Sequence, residues 1–390
     1  MIMSVNTKKY TKKGNKMKKS AVFFGLIMIM SINIKAMELK QSGYLRLGYQ
    51  NFKNNAINEN DMALGGKLNI ELRHKGYFVF GASFYTTNAL MDTNNIGVPF
   101  YGSDNNSYTI LGEAYIKAKI EKTTLKVGRQ EFDSPYANMD DIGMIPNTFE
   151  GATLMYKDIE KRNKVVFAYF NKWSGVDSDE PQSFSDMNGD DGVWILGGAY
   201  GGFKNTQLKA WFYSIPNQAK LAYFEANYNL KLNEINLAFA GQYSIQDYEN
   251  GDQSTIYGAS MEASYEPWGL TTTLAYNKVD GVGADNFFGG GPFLTSSEHI
   301  TIPDGGDNAK AFLIGGSFDF AVVGMDDLTL SLNHLTIERE LLDDITELDI
   351  ALEYNYNDNL SLQVIYSDIE DKSFADESFK DLRVFVNYSF

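Results

Sequence analysis

The chain has 390 residues, and its 50 acidic against 34 basic side chains give a net charge of −16, which argues against nucleic acid as a partner. The absence of cysteine excludes disulfides and thiolate metal sites. A mean hydropathy of −0.29 is too polar for a bundle of membrane-spanning helices, whereas 24 Tyr, 26 Phe and 35 Gly suit many strands with aromatic belts.

We expect residues 1–36 to be an N-terminal extension and a secretory signal peptide. A basic stretch begins at Met17, an apolar run follows over 21–32, and Ala36 is a small residue suited to cleavage. The apolar run is too short to cross a bilayer core of ~30 Å as a helix. Residues 1–36 hold eight Lys and no acid, so residues 37–390 have 26 basic and 50 acidic side chains and a net charge of −24. That charge also argues against an anionic solute.

The rest of the chain repeats one design, in which segments of about ten residues alternate apolar and polar side chains and are separated by turn residues. The predicted strands lie near 44–49, 64–75, 76–88, 107–121, 123–132, 149–159, 163–172, 193–203, 205–215, 219–232, 234–247, 254–266, 268–279, 308–321, 326–337, 345–356, 358–369 and 379–390. The count is about 18, an even number as in single-chain bacterial barrels, although uncertain strand boundaries leave ~16 open.

Alternation also predicts which side chains share a face of each strand. Leu64, Leu68 and Leu72 lie on one face of the second strand, opposite its charged residues. We therefore predict an all-β, antiparallel transmembrane barrel with an apolar outer face and a polar lumen. The predicted outward residues include Leu237, Phe239, Leu352 and Tyr354. The predicted lumen-facing residues are Arg46, Lys67, Glu71, Arg73, Glu113, Lys117, Lys119, Glu353 and Arg383.

The C terminus favours a membrane barrel over a soluble β-sandwich, which would also alternate. Leu382, Val384, Val386 and Tyr388 share one face of the last strand, and the chain ends on Phe390. A barrel must pair its last strand with its first, so this end is structured and its outward face meets lipid. We expect the barrel-assembly machinery of the outer membrane to recognise Phe390.

The connections fall into two length classes, as in barrels with short turns at one end and long loops at the other. Tight connections are predicted at 121–123, 204–205, 233 and 357–359. Long connections are predicted at 89–106, 133–148, 173–192 and 280–307.

The sequence over 111–151 resembles the OprD-type family of outer-membrane porins. It reads LGEAY from Leu111, TLKVGRQ from Thr124 and MIPNTFEG from Met144. The resemblance implies an 18-stranded monomer with one loop folded into the lumen and passage of small solutes. The family usually has a basic residue before the Met, whereas this chain has Gly143, so we expect a positive group to be missing there.

The loop at 133–148 is the expected constriction of the bore. A long, proline-containing loop between two hairpin strands loses conformational entropy unless it packs against something, and the lumen offers that packing. Opposed acidic and basic walls would create a transverse field that orients dipolar solutes. The alternative is a loop outside the barrel with hydrated carboxylates. The predicted constriction residues are Lys126, Arg129, Glu131, Asp133, Asp140 and Asp141.

These patterns predict a diffusion porin for small hydrophilic solutes and ions, with a preference for cations. The alternative is an adhesin or receptor barrel whose long loops bind a partner, and a membrane-embedded hydrolase ranks third. We expect no cofactor, no metal and no catalytic residues. The acidic loop at 177–192 only partly resembles a calcium loop, because it lacks the sixth-position Gly and closing Glu. Outer-membrane lipid is the expected surrounding, and monomer and trimer remain open.

Overall fold

The computed structural model describes residues 37–91 and 100–390. The predicted signal peptide lies outside these residues, as does the part of the first long connection at 92–99. Leu39–Phe390 forms one compact unit. In the described part of the chain, no helix has the length and hydropathy needed to span a bilayer.

The described chain is built almost entirely of strands. They are β1 (Met37–Asn54), β2 (Asn58–His74), β3 (Phe78–Ala89), β4 (Tyr108–Ile120), β5 (Thr123–Gln130), β6 (Thr148–Asp158), β7 (Asn163–Ser174), β8 (Ser185–Asp186), β9 (Val193–Tyr200), β10 (Thr206–Ile215), β11 (Ala219–Leu232), β12 (Ile235–Tyr248), β13 (Gln253–Tyr265), β14 (Leu270–Gly281), β15 (Lys310–Asp319), β16 (Leu328–Glu338), β17 (Ile345–Asn355), β18 (Leu360–Asp371) and β19 (Phe379–Ser389). Short 3-10 helices lie at Glu266–Trp268, Ile302–Gly305, Phe320–Val323 and Ala375–Glu377.

All strands except β8 form one closed ring. Each pairs with its neighbours in chain order, β7 pairs directly with β9, and β1 pairs with both β2 and β19. The two-residue β8 only extends the end of β7 within the following loop. The ring therefore has 18 of the 19 strands, which confirms the predicted antiparallel barrel and excludes the 16-strand alternative.

The ring closes at the two ends of the chain. The N–H of Phe390 donates to the carbonyl of Gly43 and the N–H of Gly43 donates to the carbonyl of Phe390, both at 3.0 Å. The β1–β19 register then runs from Tyr44 opposite Ser389 to Asn54 opposite Phe379. The observed β1 extends beyond the predicted strand at 44–49 at both ends, and its polar residues after position 49 continue to pair with β19 although they lack an apolar pattern.

The outward face of the ring is apolar. Large hydrophobic side chains stand exposed on alternate positions, such as Leu45 and Leu47 on β1 and Phe312 and Ile314 on β15. A continuous exposed apolar surface of this kind suits lipid rather than water. The opposite, inward face is mixed, with buried apolar side chains on many strands and polar or charged side chains on the others.

The two ends of the barrel differ in their connections. At the end where β1 begins and β19 ends, the connections are short. At the other end, long connections follow β3, β5, β7 and β14. Short turns face the periplasm in barrels of this kind and long loops face the outside, which defines the orientation. We refer to the end with the long connections as the extracellular end.

We predict that deletion of Phe390 impairs barrel formation more than Phe390→Ala. The deletion removes both backbone hydrogen bonds of the closing pair, each contributing about 1 kcal/mol, whereas the alanine variant keeps them. The compact, heat-sensitive gel mobility of protein refolded in detergent measures the folded fraction. Equal yields for the deletion and the wild type would contradict this account of closure.

Candidate functional site

Two long connections at the extracellular end pack against the inward faces of the strands. We call residues 131–147, between β5 and β6, the first inner loop. We call residues 282–309, between β14 and β15, the second inner loop. Apolar side chains of both loops share one buried cluster with inward residues of strands from β6 to β18, and Met144 and Ile145 of the first loop pack in a second cluster with Phe385. Burial of apolar surface therefore draws both loops toward the wall.

The first inner loop is anchored on one side by Tyr136, which is fully buried. Its hydroxyl lies 2.6 Å from Ser244 Oγ on β12, and its backbone N–H donates to the hydroxyl of Tyr213 on β10. The ring packs edge-on against Tyr213 and Tyr223. Edge-to-face contacts add to the burial of each ring, so Tyr136 fixes the loop on this part of the wall.

The far end of the same loop is held by two arginines from the closing strands. Arg46 on β1 donates to both carboxylate oxygens of Asp141, at 2.7 and 3.0 Å, and also to the carbonyl of Gly143. Arg383 on β19 donates to the carbonyl of Ile142 at 3.1 Å. A loop that contacts β10 and β12 at one end and β1 and β19 at the other runs across the ring. The expectation that no positive group lies beside Gly143 is therefore wrong.

The second inner loop was not predicted to enter the barrel, and its position is a correction to the single lumen loop expected from sequence. It runs beside the first loop, since Phe288 N–H donates to the carbonyl of Tyr136 and Asn138 N–H donates to that of Phe288. Gly290 N–H donates to the side chain of Asn138. The apolar residues of this loop, Phe287, Phe288, Ile300 and Ile302, were a signal that it needs burial.

Buried carboxylates of β17 hold the second inner loop. Glu347 accepts the backbone N–H groups of His299 and Ile300 at 2.9 and 2.8 Å. Asp349, two residues along the same inward face, accepts the hydroxyls of Ser297 and Ser367. A buried carboxylate is tolerated only when donors satisfy it, so these contacts require the loop to stay in place.

The wall formed by β2–β5 has a network of charged side chains facing inward. Lys67 Nζ lies 2.9 Å from a Glu113 oxygen and 2.7 Å from a Glu131 oxygen. Lys126 pairs with Glu113 at 3.1 Å, and the hydroxyl of Tyr85 donates to Glu131 at 2.7 Å. The structure thus brings together two predicted constriction residues, Lys126 and Glu131, and two predicted lumen residues.

A second charged group lies further toward the periplasmic end of the same wall. Glu71 accepts from Arg73 Nε and from the Tyr115 hydroxyl, both at 2.7 Å, and Lys117 lies 3.5 Å away. Arg73 and Lys117 are each about one-third exposed to the interior. The wall therefore presents partly neutralised positive groups to the open part of the lumen.

Arg129 does not belong to the constriction, and its predicted role is corrected. It shares a face of β5 with Leu125 and Val127, which are exposed on the outside, and it lies opposite Ala114 and Glu150. Its guanidinium pairs with Glu150 at 2.8 Å and lies over the ring of Phe184. The alternation of the strand places Arg129 outward, although its position just before the first inner loop had suggested the constriction.

Asp133 lies in a polar cavity of ≈ 430 Å³ beneath the two inner loops. Lys164 from β7 and Lys209 from β10 line the same cavity. Lys209 is paired with Glu225 at 2.7 Å, while Lys164 lies over the ring of Trp211. Sequence reasoning missed both lysines. Lys164 shares its inward strand face with the apolar Val166 and Ala168, so alternation did not mark that face as polar.

Asp140 faces a second carboxyl, Asp177, from the loop after β7. Burial, together with the Asp177 carboxylate, raises the pKa of Asp140 to about 7. Burial also raises the pKa of Asp177, whose carboxylate accepts from Asn147 Nδ2 at 2.6 Å. Two neighbouring carboxyls favour sharing a proton over ionising together. When the pH is below neutral, the shared proton therefore links the first inner loop to the loop after β7.

The remaining predicted site residues lie away from the inner loops. Lys119 lies near the periplasmic end of β4, and Glu353 accepts from Gln363 near the last short turn. Among residues 37–91 and 100–390, no three His, Asp or Glu side chains come close enough to hold a metal ion. The acidic loop at 177–192 thus has no described cluster for calcium.

The comparisons with known proteins agree with this architecture. The model of the OprD family, described as outer membrane porin, matches residues 86–390. OccK8 (OprE) of Pseudomonas aeruginosa superposes with a TM-score of 0.76 at 16% identity, covering 90% of this chain and 98% of that chain. OpdK of Pseudomonas aeruginosa, in a structure with vanillate, gives 0.77 at 17% identity over 90% and 98%. OccAB1 of Acinetobacter baumannii gives 0.75 at 18% over 90% and 96%. No curated protein matches this sequence.

We predict that cysteine accessibility separates the two faces of the wall. In a planar bilayer, a water-soluble thiol reagent should reduce the current through Lys117→Cys, because this residue faces the interior. Ile116→Cys, adjacent and exposed on the outside, is the matched control and should be unaffected. Arg129→Cys should behave like the control. Block of the Arg129→Cys current would show that our assignment of its face is wrong.

We also predict that the Asp140–Asp177 contact weakens as the pH rises. The pKa of Asp140 is raised from its ordinary value of 3.8 to about 7, so the closed contact binds more protons than the open one. The stability of the contact therefore falls as the pH rises from about 3.8 to about 7, and it stays constant above that range. Current fluctuations from movement of the first inner loop should therefore be greater at pH 8 than at pH 5. Asp177→Asn should abolish this difference, and an unchanged pH response in that variant would contradict the assignment.

Proposed function

Since this chain belongs to the OprD family of outer-membrane porins, we propose that it allows passive diffusion of small hydrophilic solutes and ions through a bore narrowed by its two inner loops. The observation that carries the proposal is the path of the first inner loop, from Tyr136 on one part of the wall to Arg46 and Arg383 on another. A loop that is fixed at both ends narrows the bore permanently and does not act as a gate that swings across it.

The charges around the narrowed bore support sorting of solutes by charge. Lys67, Lys117 and Lys126 lie on the wall of β2–β5, and the carboxylates of Asp133 and Asp141 lie on the first inner loop. Opposed charges produce a transverse field, which is strong where little water screens it. Solutes with separated positive and negative groups would align with this field as they pass.

We further propose that the channel prefers cations, though modestly. Residues 37–390 have a net charge of −24, which favours cations at the entrances of the bore. Near the inner loops this preference is reduced, because Asp141 is paired with Arg46 and Glu131 with Lys67. Asp133 remains exposed in a cavity that it shares with Lys164 and Lys209, so its charge is only partly offset and can act on passing ions.

The alternative is a receptor or adhesin barrel whose extracellular loops bind a partner. Inner loops that pack on buried carboxylates favour a channel, since a receptor needs its loops outside the barrel. A receptor that retains a closed barrel would give no regular conductance after reconstitution, and its partner binding would be lost when the extracellular loops are removed.

We predict a cation-selective reversal potential for the wild type in a dilute KCl gradient. It should weaken near 1 M KCl, where the screening length falls to ~3 Å. Asp133→Asn should shift the potential toward zero. Asp358→Asn, which removes an exposed charge in the last periplasmic turn, is the matched control and should change little.

Two outcomes would contradict these proposals separately. An anion-selective potential in dilute KCl would refute the cation preference while leaving the channel intact. Absence of conductance in protein that retains its β-sheet content and heat-sensitive mobility would refute the channel itself.

A further inference from the structure

The wall of the lumen carries its charged side chains unevenly below the inner loops. We call the part of the lumen between the inner loops and the periplasmic end the vestibule. The seven consecutive strands β12–β18 contain two basic residues, Lys278 and Lys310. Both face outward, since their chain neighbours Val279 and Ala311 are fully buried on the inward face. The inward face of these seven strands, all of which the structure describes, therefore has no Lys or Arg side chain.

The same inward face has six carboxylates, which fall into two groups. One group is buried toward the extracellular ends of the strands and consists of Glu347, Asp349 and Asp371. The other group is exposed toward the periplasmic ends and consists of Glu262, Asp319 and Glu353. The β12–β18 side of the vestibule is therefore acidic.

The exposed carboxylates lack basic partners. Within residues 37–91 and 100–390, no Lys or Arg forms an ion pair with any of the three. Glu353 accepts from the neutral side chain of Gln363 at 3.3 Å, and Asp319 accepts from the backbone N–H of Ala321 at 2.9 Å. Their negative charges are thus left to act on the water and ions of the vestibule.

Glu262 stands beside open space. It borders a hollow of ≈ 330 Å³ that Asn229 and Asn236 also line, and its register partner on β12 is the small Ala238. Lys231 lines the same hollow, but its ammonium is paired with Glu266 at 2.9 Å. An ion in the vestibule can therefore approach the Glu262 carboxylate without displacing a protein contact.

The basic residues of the vestibule lie on the other side of the ring. Arg73, Lys117 and Lys126 face inward from β2, β4 and β5, and contacts with Glu71 and Glu113 partly offset their charges. Counted through the strand pairings, β13 lies half-way around the ring from β3. The two walls are thus separated by the lumen, and neither neutralises the other by contact.

We propose that Glu262 and Glu353 determine the cation preference of the channel, and that they do so in the vestibule. This inference rests on the proposed channel function and assigns its selectivity to particular residues. At the inner loops, Asp141 is paired with Arg46, which leaves less charge to act on ions. Unpaired carboxylates on one wall of a low-dielectric bore raise the local concentration of cations. Asp319 contributes less, because its carboxylate caps the turn after β15.

Elementary electrostatics gives the size of the effect. Two unit charges ~8 Å apart in water interact strongly enough to change the occupancy of a passing ion roughly twofold. In ~10 mM salt the screening length of ~30 Å covers the vestibule, whereas in ~1 M salt it falls to ~3 Å. The contribution of each carboxylate should therefore be measurable in dilute salt and small in concentrated salt.

Reversal potentials in a dilute KCl gradient test the proposal. Glu262→Gln and Glu353→Gln should each lower the potassium-to-chloride permeability ratio roughly twofold, and the double variant roughly fourfold. Glu338→Gln is the matched control, because it removes the same charge from the outward face of β16, where Glu338 is paired with Lys310. Its ratio should equal that of the wild type. Heat-sensitive gel mobility checks that each variant is folded.

Restoring the charge gives a second readout that a purely structural role would not produce. Since the chain has no native cysteine, Glu262→Cys can be modified at a single site. A thiol reagent that attaches a sulfonate should restore the cation preference of this variant. A reagent of similar size that attaches an ammonium group should lower the preference further.

The possible failures of the inference and of the proposed function are distinct. A cation-selective wild type whose double variant keeps the same permeability ratio would overturn this inference alone. Equal effects of the sulfonate and ammonium reagents would do the same. An anion-selective wild type, or one without conductance, would overturn the inference together with the proposal on which it rests.

Discussion

The closing of the ring between β1 and β19 is the constraint on which the other features depend. Each backbone N–H and C=O in the apolar band must find a partner within the sheet, since lipid offers none. The paired hydrogen bonds between Gly43 and Phe390 complete that requirement where β1 meets the end of β19. Closure also fixes the side of the ring where Arg46 and Arg383 stand together, and these are the groups that hold the far end of the first inner loop.

The interior follows the opposite rule, because polar groups there need partners from loops as well as from strands. Glu347 and Asp349 are almost fully buried, and their donors come largely from the second inner loop. The second inner loop supplies backbone N–H groups, and β17 supplies carboxylate acceptors. Either set would be destabilising if it were buried without a hydrogen-bond partner. Apolar burial draws the loops inward, whereas these hydrogen bonds determine where they stop.

The sequence predicted those features that depend on local periodicity. Strand order, closure at Phe390 and the inward position of Glu113 follow from alternation, since a strand has only two faces. Arg129 was placed wrongly because it immediately precedes the first inner loop and was grouped with it, although its alternation with Leu125 and Val127 points outward. For a single residue, the geometry of its own strand is the stronger argument.

The second inner loop could not be assigned from periodicity, because its position depends on contacts with residues far along the chain. Glu347 lies about one-eighth of the chain beyond His299, and nothing local to either residue indicates that they meet. The same dependence on distant residues applies at Gly143, where the sequence suggested that a positive group is missing. The carbonyl of Gly143 accepts from the guanidinium of Arg46, which comes from the facing strand β1. The electrostatic character of a bore is therefore a property of the whole ring, and a substitution in one loop has meaning only with the facing strand in view.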